Sequence, residues 1–523
     1  MVLVVMAAVA ILTLSGSLPA PWQIDSDLDI VVIAQDLQSS DATFANCRYG
    51  ASPLDGESTS VVSDLGAGWY LNFQAYPPTS AEPANGAEFV HMVDIHQKKC
   101  GDECYLPTYE FDPPLDAAYA KYIKEHPGGK YIAGNETDRI GQGETYPEVY
   151  AAAYHEIYNF IKGNDPSAQL AATALVQFTP NRKQYLDKIW SSYFDQFGSH
   201  MPVDIWTMHI YVLPELQADG VTPNGIANIA LGTDKSLGKR EAGGSAAICS
   251  DPDVYCFAEH DNLEIFKEHV VAMRQWMKDH GQQNKPLLLT EFSILFPYED
   301  DGATCFLQDE YGNCFTPDRV TNFMNATFSY LNEKTDPAIG YPLDGNRLVQ
   351  QWMWFSVYYP YEGSASNLAE ADLKTLTKPG QNFKNHVAGK TLYQNLIVDN
   401  VADVSVATNG AATTTANISV IFRNNGNSSI KTPFAVSFFK NSNYTDKIGS
   451  VVIDPTVYGC SSQAYTAGIS WPGLTKGTHN YYVYIDSGRT VNEVPSHDGD
   501  NFGQGTVTVY RNQINLPVVG SAQ

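Results

Sequence analysis

Short apolar runs alternate with longer amphipathic segments along most of the chain. The runs are bounded by turn-forming residues and are short enough for single buried strands, whereas apolar residues in the longer segments recur at helical spacing. The eight runs lie at 48–51, 66–73, 88–94, 130–134, 170–175, 203–209, 286–292 and 348–356. The helical segments lie at 115–126, 145–163, 183–197, 263–278, 318–331 and within 384–397.

This alternation predicts the fold class. Eight strands that alternate with helices over residues 47–397 favour an α/β architecture, a (β/α)8 TIM barrel. A doubly wound open sheet is the alternative, but no glycine-rich phosphate loop follows any of the strands. We therefore expect one large barrel domain.

The pattern changes at residue 401, where helical periodicity ends. Short runs of alternating apolar and polar residues follow, separated by turns rich in Asn, Gly and Ser. They lie at 403–407, 416–422, 435–439, 448–453, 480–485 and 505–509. This pattern predicts a small all-β immunoglobulin-like sandwich over residues 401–512.

The N-terminus carries an apolar segment, Val2–Leu14, followed by mostly small residues up to Ala20. This order is typical of a secretory signal peptide at 1–20, although no Lys or Arg precedes it. A membrane anchor is the alternative, but thirteen residues are fewer than the roughly 20 that span a bilayer. We expect a secreted or cell-surface protein without a membrane span after signal removal, with a leader at 21–46 and an unassigned apolar tail at 513–523.

The formal net charge of −26 narrows the range of partners. Nucleic acid and anionic membranes would be repelled, whereas a neutral polysaccharide or oligosaccharide is compatible with this charge. The cysteines form no two-pair zinc pattern, and we expect neither a metal nor a cofactor.

Six of the eight cysteines form pairs that are close in sequence, which predicts short-range disulfides in an exported protein. The pairs are Cys100 with Cys104, Cys249 with Cys256, and Cys305 with Cys314. Each pair falls after a predicted strand and before its helix, in the loops that emerge at the C-terminal face of a barrel. Free cytosolic thiols are the alternative. Cys47 and Cys460 remain, and they could bridge the two ends of the chain.

Two predicted strands end in a glutamate, and this is the main signal for chemistry. Glu136 follows the fourth strand in Gly134–Asp138, and Glu291 closes the seventh in Leu289–Phe292. Glycosidic bonds are broken by a pair of carboxyl groups at such positions, so we expect the two to face each other across a sugar-binding cleft. Exposed loop carboxylates are the alternative. In a retaining enzyme the carboxyl groups lie about 5–5.5 Å apart, and a separation beyond about 9 Å or a tight arginine pair on either would contradict the mechanism.

These motifs resemble those of clan A retaining glycoside hydrolases, most closely glycoside hydrolase family 128, the endo-β-1,3-glucanases. The resemblance covers residues 47–395 and rests on Trp69–Phe73, Glu88–Met92 and the Gly-Asn-Glu-x-Asp run at 134–138. It implies that Glu136 is the general acid/base and Glu291 the nucleophile. It also implies that Asn135 donates to the sugar 2-hydroxyl and that His209 supports the nucleophile by hydrogen bonding, although His209 could equally be an ordinary buried histidine. The family usually has proline where this chain has Thr137.

Aromatic side chains at strand ends are candidates for stacking against sugar rings. They are Trp69, Tyr70, Trp206, Trp352 and Trp354, with Tyr298 on the loop after the seventh strand. Core packing is the alternative for each of them. Alternation along a strand places Trp352 and Trp354 on the same face.

Asp486–Glu493 followed by Asp500 and Asn501 resembles the last hairpin of CARDB-type modules, the cell-adhesion-related domains of bacterial surface and secreted proteins. This resemblance implies a spacer or carbohydrate-proximal module and a possible cell-surface association. The sequence as a whole predicts a secreted retaining glycoside hydrolase that cleaves a β-glucan, most simply an endo-β-1,3-glucanase. The alternatives are a non-catalytic surface carbohydrate-binding protein with a degenerate barrel, or a β-1,4-glucanase, xylanase or mannanase of the same clan.

Overall fold

The computed structural model describes residues 45–54, 59–78, 83–101, 104–213, 233–234, 259–295, 305, 308–309, 311–360, 366–454, 456–493 and 499–511. The predicted signal peptide, all but the last two residues of the leader, and the predicted tail lie outside these ranges. Within the described part, no helix is long and apolar enough to cross a membrane.

Eight parallel strands form a nearly closed barrel, as the sequence pattern predicted. They are β1 (Asn46–Ala51), β2 (Ala67–Tyr70), β3 (Glu88–Gly101), β5 (Lys130–Ala133), β6 (Gln169–Ala171), β7 (Trp206–Ile210), β8 (Leu287–Phe292) and β9 (Gln351–Trp354), while β4 (Cys104–Asp112) is a ninth strand outside the barrel. The strand order is β6-β5-β3-β2-β1-β9-β8-β7. A bridge between Ala171 and Ile205 brings the two ends of this sheet together.

Seven α-helices are seen among the described residues, and most of them pack amphipathic faces onto the outside of the barrel. They are α1 (Thr59–Leu65), α2 (Ala117–Glu125), α3 (Pro147–Asn164), α4 (Pro180–Phe197), α5 (Leu263–Asp279), α6 (Pro317–Glu333) and α7 (Lys378–Ala388). The sequence pattern predicted α2 to α6 and missed the short α1. The helix predicted within 384–397 overlaps α7 only at its C-terminal end, since α7 spans Lys378–Ala388.

Strand side chains divide between two buried clusters. One cluster fills the barrel interior and includes Val90, Met92, Ile132 and Met353. The other lies between the strands and the helices and is much larger. Because both faces of every barrel strand are buried, polar and apolar residues do not alternate along these strands.

Strand β3 continues well past its predicted end at residue 94 and forms a hairpin with β4. Buried Ile95 and Gln97 alternate with exposed residues, which is typical of a ribbon that has left the barrel. A disulfide between Cys100 and Cys104 closes the tip. The pair predicted for a loop therefore staples a rigid hairpin at the C-terminal end of the barrel.

The C-terminal residues form two antiparallel-rich sheets around a separate hydrophobic cluster. The strands are β10 (Leu396–Val401), β11 (Val404–Ala407), β12 (Thr414–Asn424), β13 (Phe434–Phe439), β14 (Lys447–Ile453), β15 (Tyr465–Leu474), β16 (Gly477–Ile485) and β17 (Phe502–Tyr510). The sheet orders are β10-β12-β15 and β11-β17-β16-β13-β14. We call this part the β domain. β10 and β15 were not predicted from sequence, and the immunoglobulin-like classification stays a prediction.

The β domain contacts the barrel at the N-terminal ends of its strands, away from the predicted cleft. A disulfide joins Cys47 at the start of β1 to Cys460. The Lys130 ammonium at the start of β5 lies 2.6 Å from a Glu88 carboxylate oxygen and 2.7 Å from the Ser462 hydroxyl. All five of these residues are buried, so the β domain closes this end of the barrel.

Candidate active site

The two predicted glutamates lie close together at the C-terminal end of the barrel. Glu136 follows β5 and Glu291 lies in β8, and their residues are 2% and 6% exposed. One oxygen of the Glu136 carboxylate lies within 4.8 Å of one oxygen of the Glu291 carboxylate. Glu136 has a φ of 42°, in the left-handed region that non-glycine residues rarely adopt. A proline at position 137 would restrict residue 136 to extended backbone, and Thr137 lifts that restriction.

His209 lies between the two carboxylates. Its Nδ1 is 3.0 Å from Glu136 Oε1 and its Nε2 is 3.5 Å from Glu291 Oε1. The closer partner is thus Glu136, whereas the resemblance implied the nucleophile. Burial opposes a positive charge on the imidazole, but the two carboxylates outweigh it and raise the pKa of His209.

Tyr211 supports Glu291 from the same strand end as His209. Its hydroxyl donates to Glu291 Oε2 over 2.5 Å. Burial raises the pKa of Tyr211 well above its usual value, so the hydroxyl keeps its proton. Burial also raises the pKa of Glu291 to about 7, with repulsion from Glu136 adding to the effect. The sequence reasoning missed Tyr211, although it follows His209 by two positions and so shares its face.

Arg139 changes the electrostatics of the other carboxylate. Its Nη1 lies 3.0 Å from Glu136 Oε2. An arginine pair on one of the two glutamates, which we expected to contradict the retaining mechanism, is therefore present. Burial acts to raise the pKa of Glu136, but His209 and Arg139 together lower it below its usual value. The pKa values of the two glutamates are therefore shifted in opposite directions, and Glu291 holds a proton more readily than Glu136. The resemblance implied the reverse, with the proton on Glu136.

A buried ion pair holds the loop that carries Glu136. Arg182 Nη1 lies 3.1 Å from Asp138 Oδ2 and 2.9 Å from the Asp138 carbonyl. The backbone N–H of Thr145 donates to the Thr137 carbonyl over 2.8 Å. Gly143 packs against this turn so closely that a Cβ there would lie 2.3 Å from the Asn135 carbonyl oxygen. The loop is therefore fixed from both sides.

The glutamates line a cavity of about 410 Å³. Asn135 also lines it, and the Asn135 Oδ1 is buried without a hydrogen-bond donor in the described part of the chain. The aromatic residues in its wall are Phe73, Tyr211, Phe355 and Tyr359. The ring of Phe355 lies 6.2 Å from those of Phe73 and Tyr211 and 5.9 Å from that of Tyr359, measured between centroids.

The tryptophans predicted to stack on sugar do not line this cavity. Trp69, Trp206, Trp352 and Trp354 are all 0% exposed. Trp69 belongs to the barrel interior, and the other three pack between the strands and the helices. A ring that is fully buried in the core has no free face for a sugar. These four tryptophans therefore have the alternative role, core packing. Tyr298 lies outside the described residues.

Alternation along β9 accounts for this correction. Trp352 and Trp354 share a face, as predicted, but that face points to the helices. Met353 points into the barrel, and Phe355 follows two positions later at the mouth of the cavity. The sequence showed which residues of β9 share a face but not which of the two faces points into the barrel.

Glu136, His209 and Glu291 are the residues here that could hold a metal ion, since their ligand atoms lie within 4.8 Å of one another. Arg139 already binds one oxygen of Glu136, and Tyr211 binds one oxygen of Glu291. A cation beside Glu136 disfavours a second one, so the donor set suits proton transfer better than metal binding.

The remaining predicted disulfides have mixed outcomes. Cys305 and Cys314 are bonded, and so are Cys100 and Cys104. Cys249 and Cys256 lie outside the described residues. The bond between Cys47 and Cys460, which the sequence left open, is present.

No protein-family model and no curated protein matches the chain. Similar solved structures are glycoside hydrolases of family 128. A subgroup I endo-β-1,3-glucanase from Amycolatopsis mediterranei in complex with laminaritriose is 17% identical, with 65% of this chain and 98% of that chain covered and a TM-score of 0.38. A subgroup II endo-β-1,3-glucanase from Pseudomonas viridiflava is 14% identical, with 65% and 98% covered and a TM-score of 0.40. A subgroup III curdlan-specific exo-β-1,3-glucanase from Blastomyces gilchristii in complex with glucose is 15% identical, with 64% and 97% covered and a TM-score of 0.37. At these identities and TM-scores we draw no functional inference from the likeness.

Proposed function

We propose that this chain is a secreted retaining glycoside hydrolase that cleaves a β-glucan, with endo-β-1,3-glucanase as the specific activity. One observation carries the proposal: two buried glutamates place carboxylate oxygens within 4.8 Å of each other in a cavity at the C-terminal end of a barrel. Retaining glycosidases hold their carboxyl groups about 5–5.5 Å apart, whereas inverting enzymes need about 6.5–9.5 Å to admit a water molecule.

In the proposed mechanism, the Glu291 carboxylate attacks the anomeric carbon while Glu136 protonates the leaving oxygen. The glycosidic bond breaks and a covalent ester with Glu291 forms. Glu136 then accepts a proton from water, whose oxygen attacks the ester and releases the sugar and free Glu291. One water is consumed in each turnover, and both glutamates return to their starting states.

The opposite pKa shifts of the two glutamates oppose the first step. They favour a proton on Glu291, whereas the reaction requires it on Glu136. His209 lies between the two carboxylates. Its Nδ1 is 3.0 Å from Glu136 Oε1, and its Nε2 is 3.5 Å from Glu291 Oε1 and has no hydrogen-bond partner among the described residues. In the proposed transfer Nε2 takes the Glu291 proton while Nδ1–H gives its proton to Glu136, and the Nε2 contact must shorten for this step. This transfer also leaves Glu291 ionised for attack.

The finer parts of the proposal have different support. The β-1,3 linkage rests on the resemblance of the motifs at 69–73, 88–92 and 134–138 to family 128. Secretion rests on the predicted signal peptide, and the three disulfides of the described residues are compatible with it. The proposed stacking surface is the aromatic wall around Phe355, in place of the predicted tryptophans.

The direct test measures reducing-sugar release from laminarin by the wild type and by Glu136→Ala and Glu291→Ala. We expect both variants to lose activity, with the anomeric configuration of the first wild-type product retained in NMR spectra. Glu268→Ala, an exposed glutamate on α5, is the matched control and should remain active. An active Glu291→Ala variant, or an inverted first product, would contradict the mechanism.

The ion pair between Arg139 and Glu136 is the kind of arginine pair that we expected to contradict the retaining mechanism, and it favours a second candidate, a non-catalytic carbohydrate-binding barrel. A carboxylate kept ionised by arginine is a poor proton donor. If this candidate is right, the wild type binds laminari-oligosaccharides in calorimetry without releasing sugar at any pH. Hydrolysis by the wild type that is lost in Glu291→Ala excludes it.

A further inference from the structure

A third carboxylate lines the cavity and has no part in the mechanism above. Asp94 lies on β3, just beyond the point where Val93 pairs with Ala133 of β5. The backbone N–H of Gly134 donates to the Val93 carbonyl over 2.8 Å, which places Asp94 beside the strand end that carries Asn135 and Glu136. Met92, two positions earlier and therefore on the same face, also lines the cavity.

The Asp94 carboxylate is partly buried and lacks a partner. Across the described ranges it accepts no hydrogen bond and joins no ion pair. Burial raises the pKa of Asp94 to about 6. A carboxylate with open acceptor positions in a cavity is suited to accept hydrogen bonds from hydroxyl groups of a ligand.

Asp94 lowers the stability of the hairpin through electrostatic repulsion, which indicates that the residue has a function other than stabilising the fold. Asp94 lies directly opposite Asp112 of β4. Like charges at opposed positions of a strand pair are destabilising. Asp112 adds to the effect of burial on the pKa of Asp94, the nearby His96 acts against it, and neither aspartate forms an ion pair among the described residues. Unfavourable local features of this kind concentrate at functional sites.

Acidic groups outnumber basic ones in the cavity lining. Asp94, Glu136 and Glu291 contribute carboxyl groups, of which Glu291 has a raised pKa, whereas Arg139 is the fixed cation and His96 a titratable base in the described part of the lining. Arg139 is already bound to Glu136. A uronic acid or another anionic sugar would therefore meet an unpaired carboxylate at Asp94, whereas a neutral sugar would offer it hydroxyl donors.

We propose that Asp94 is a substrate-binding residue that accepts hydrogen bonds from sugar hydroxyls and makes the cavity selective for neutral glucans over acidic polysaccharides. This inference rests on the proposed function and names a specificity-determining residue for it. Asp94 takes no part in bond breaking, so its contribution lies in binding and appears mainly in KM.

The test compares wild type, Asp94→Asn and Asp94→Ala on laminari-oligosaccharides and on carboxymethylated curdlan, an anionic β-1,3-glucan. Glu110→Gln is the matched control, because it removes one carboxylate from the same hairpin at an exposed position paired with Lys98, outside the cavity. Losing a hydrogen bond to a charged group typically lowers binding affinity about ten- to hundredfold. We therefore expect kcat/KM on the neutral substrate to fall by this factor in both Asp94 variants. The ratio of activity on the anionic to the neutral substrate should rise, and Glu110→Gln should match the wild type.

Thermal melting separates this role from a structural one. Because the Asp94 carboxylate has no partner, Asp94→Asn should melt at or above the wild-type temperature, and laminaripentaose binding should weaken in calorimetry. An Asp94→Asn variant within twofold of the wild type on the neutral substrate overturns the binding role. An equal loss on both substrates overturns the selectivity. A wild type that neither binds nor cleaves the neutral substrate overturns this inference together with the proposed function.

Discussion

The ion pair between Arg139 and Glu136 gives the sharpest test of the proposed mechanism. Arg139→Gln removes the positive charge 3.0 Å from a Glu136 oxygen and keeps a side chain of similar length. At an effective dielectric constant of about 20, two unit charges at this distance attract by about 5–6 kcal/mol before solvent screening. The arginine side chain is 18% exposed, so the net effect is smaller. Opposite charges this close typically shift a carboxyl pKa by about 1–3 units, each unit being about 1.4 kcal/mol.

The sign follows from the role of Glu136. Arg139 and His209 hold the pKa of Glu136 below its usual value, so removal of Arg139 raises it. The acid must be protonated to release the leaving group, and a higher pKa keeps it protonated to higher pH. We therefore expect the basic limb of the pH profile of kcat/KM to move to higher pH by about 1–2 units.

The assay measures kcat/KM on laminarin across the pH range for the wild type and Arg139→Gln. Arg347→Gln is the matched control, because Arg347 also pairs with a buried carboxylate three positions away, Asp344, at the opposite end of the barrel. Its profile should coincide with that of the wild type. A basic limb of Arg139→Gln that stays in place or moves to lower pH refutes the reasoning, and an NMR titration of the Glu136 carboxyl provides the same answer without turnover.

Three further perturbations have defined outcomes. Tyr211→Phe removes the hydroxyl that stabilises the ionised nucleophile, so the acidic limb of the pH profile should move to higher pH, and an unmoved limb contradicts this role. Replacing both Cys47 and Cys460 by serine opens a loop of 413 positions and should lower the free energy of unfolding by about 2–5 kcal/mol in denaturant melts, whereas an unchanged melt would show that the other contacts suffice. Lys130→Met leaves the buried Glu88 carboxylate without its cation and should cost about 3–5 kcal/mol of stability by the same measurement, with Lys130→Met/Glu88→Gln recovering part of the loss if the pairing is the cause.

The barrel and its two glutamates were predictable because the signals are local. Each strand is a short apolar run, and Glu136 and Glu291 each end such a run, so the sequence alone places both at the same end of a parallel barrel. The Cys100–Cys104 pair was predictable for the same reason. Nothing local showed that the strand before it continues into a hairpin, since the polar run at 96–99 is equally suited to a loop.

The residues that tune the site were not predictable, because their roles depend on register and direction. Arg139 contacts Glu136 only because the loop between them turns back on itself. The direction in which Trp352 and Trp354 point is fixed by packing against the helices. Both faces of a barrel strand are buried and apolar, so the hydrophobicity of a residue does not show whether it points into the barrel or towards the helices. The unpartnered state of Asp94 likewise exists only in three dimensions.

The docking of the β domain affects how its role can be studied. Strand β5 is four residues long and ends three residues before Glu136. Its first residue, Lys130, donates a hydrogen bond to Ser462 of the β domain. Deleting the β domain would uncover a buried charge pair at one end of this strand and leave an unpaired thiol at Cys47. Loss of activity in a truncated barrel would then report damage to the strand that carries the acid/base, even if the β domain never touches sugar. Single substitutions on the surface of the β domain separate these effects, and truncation does not.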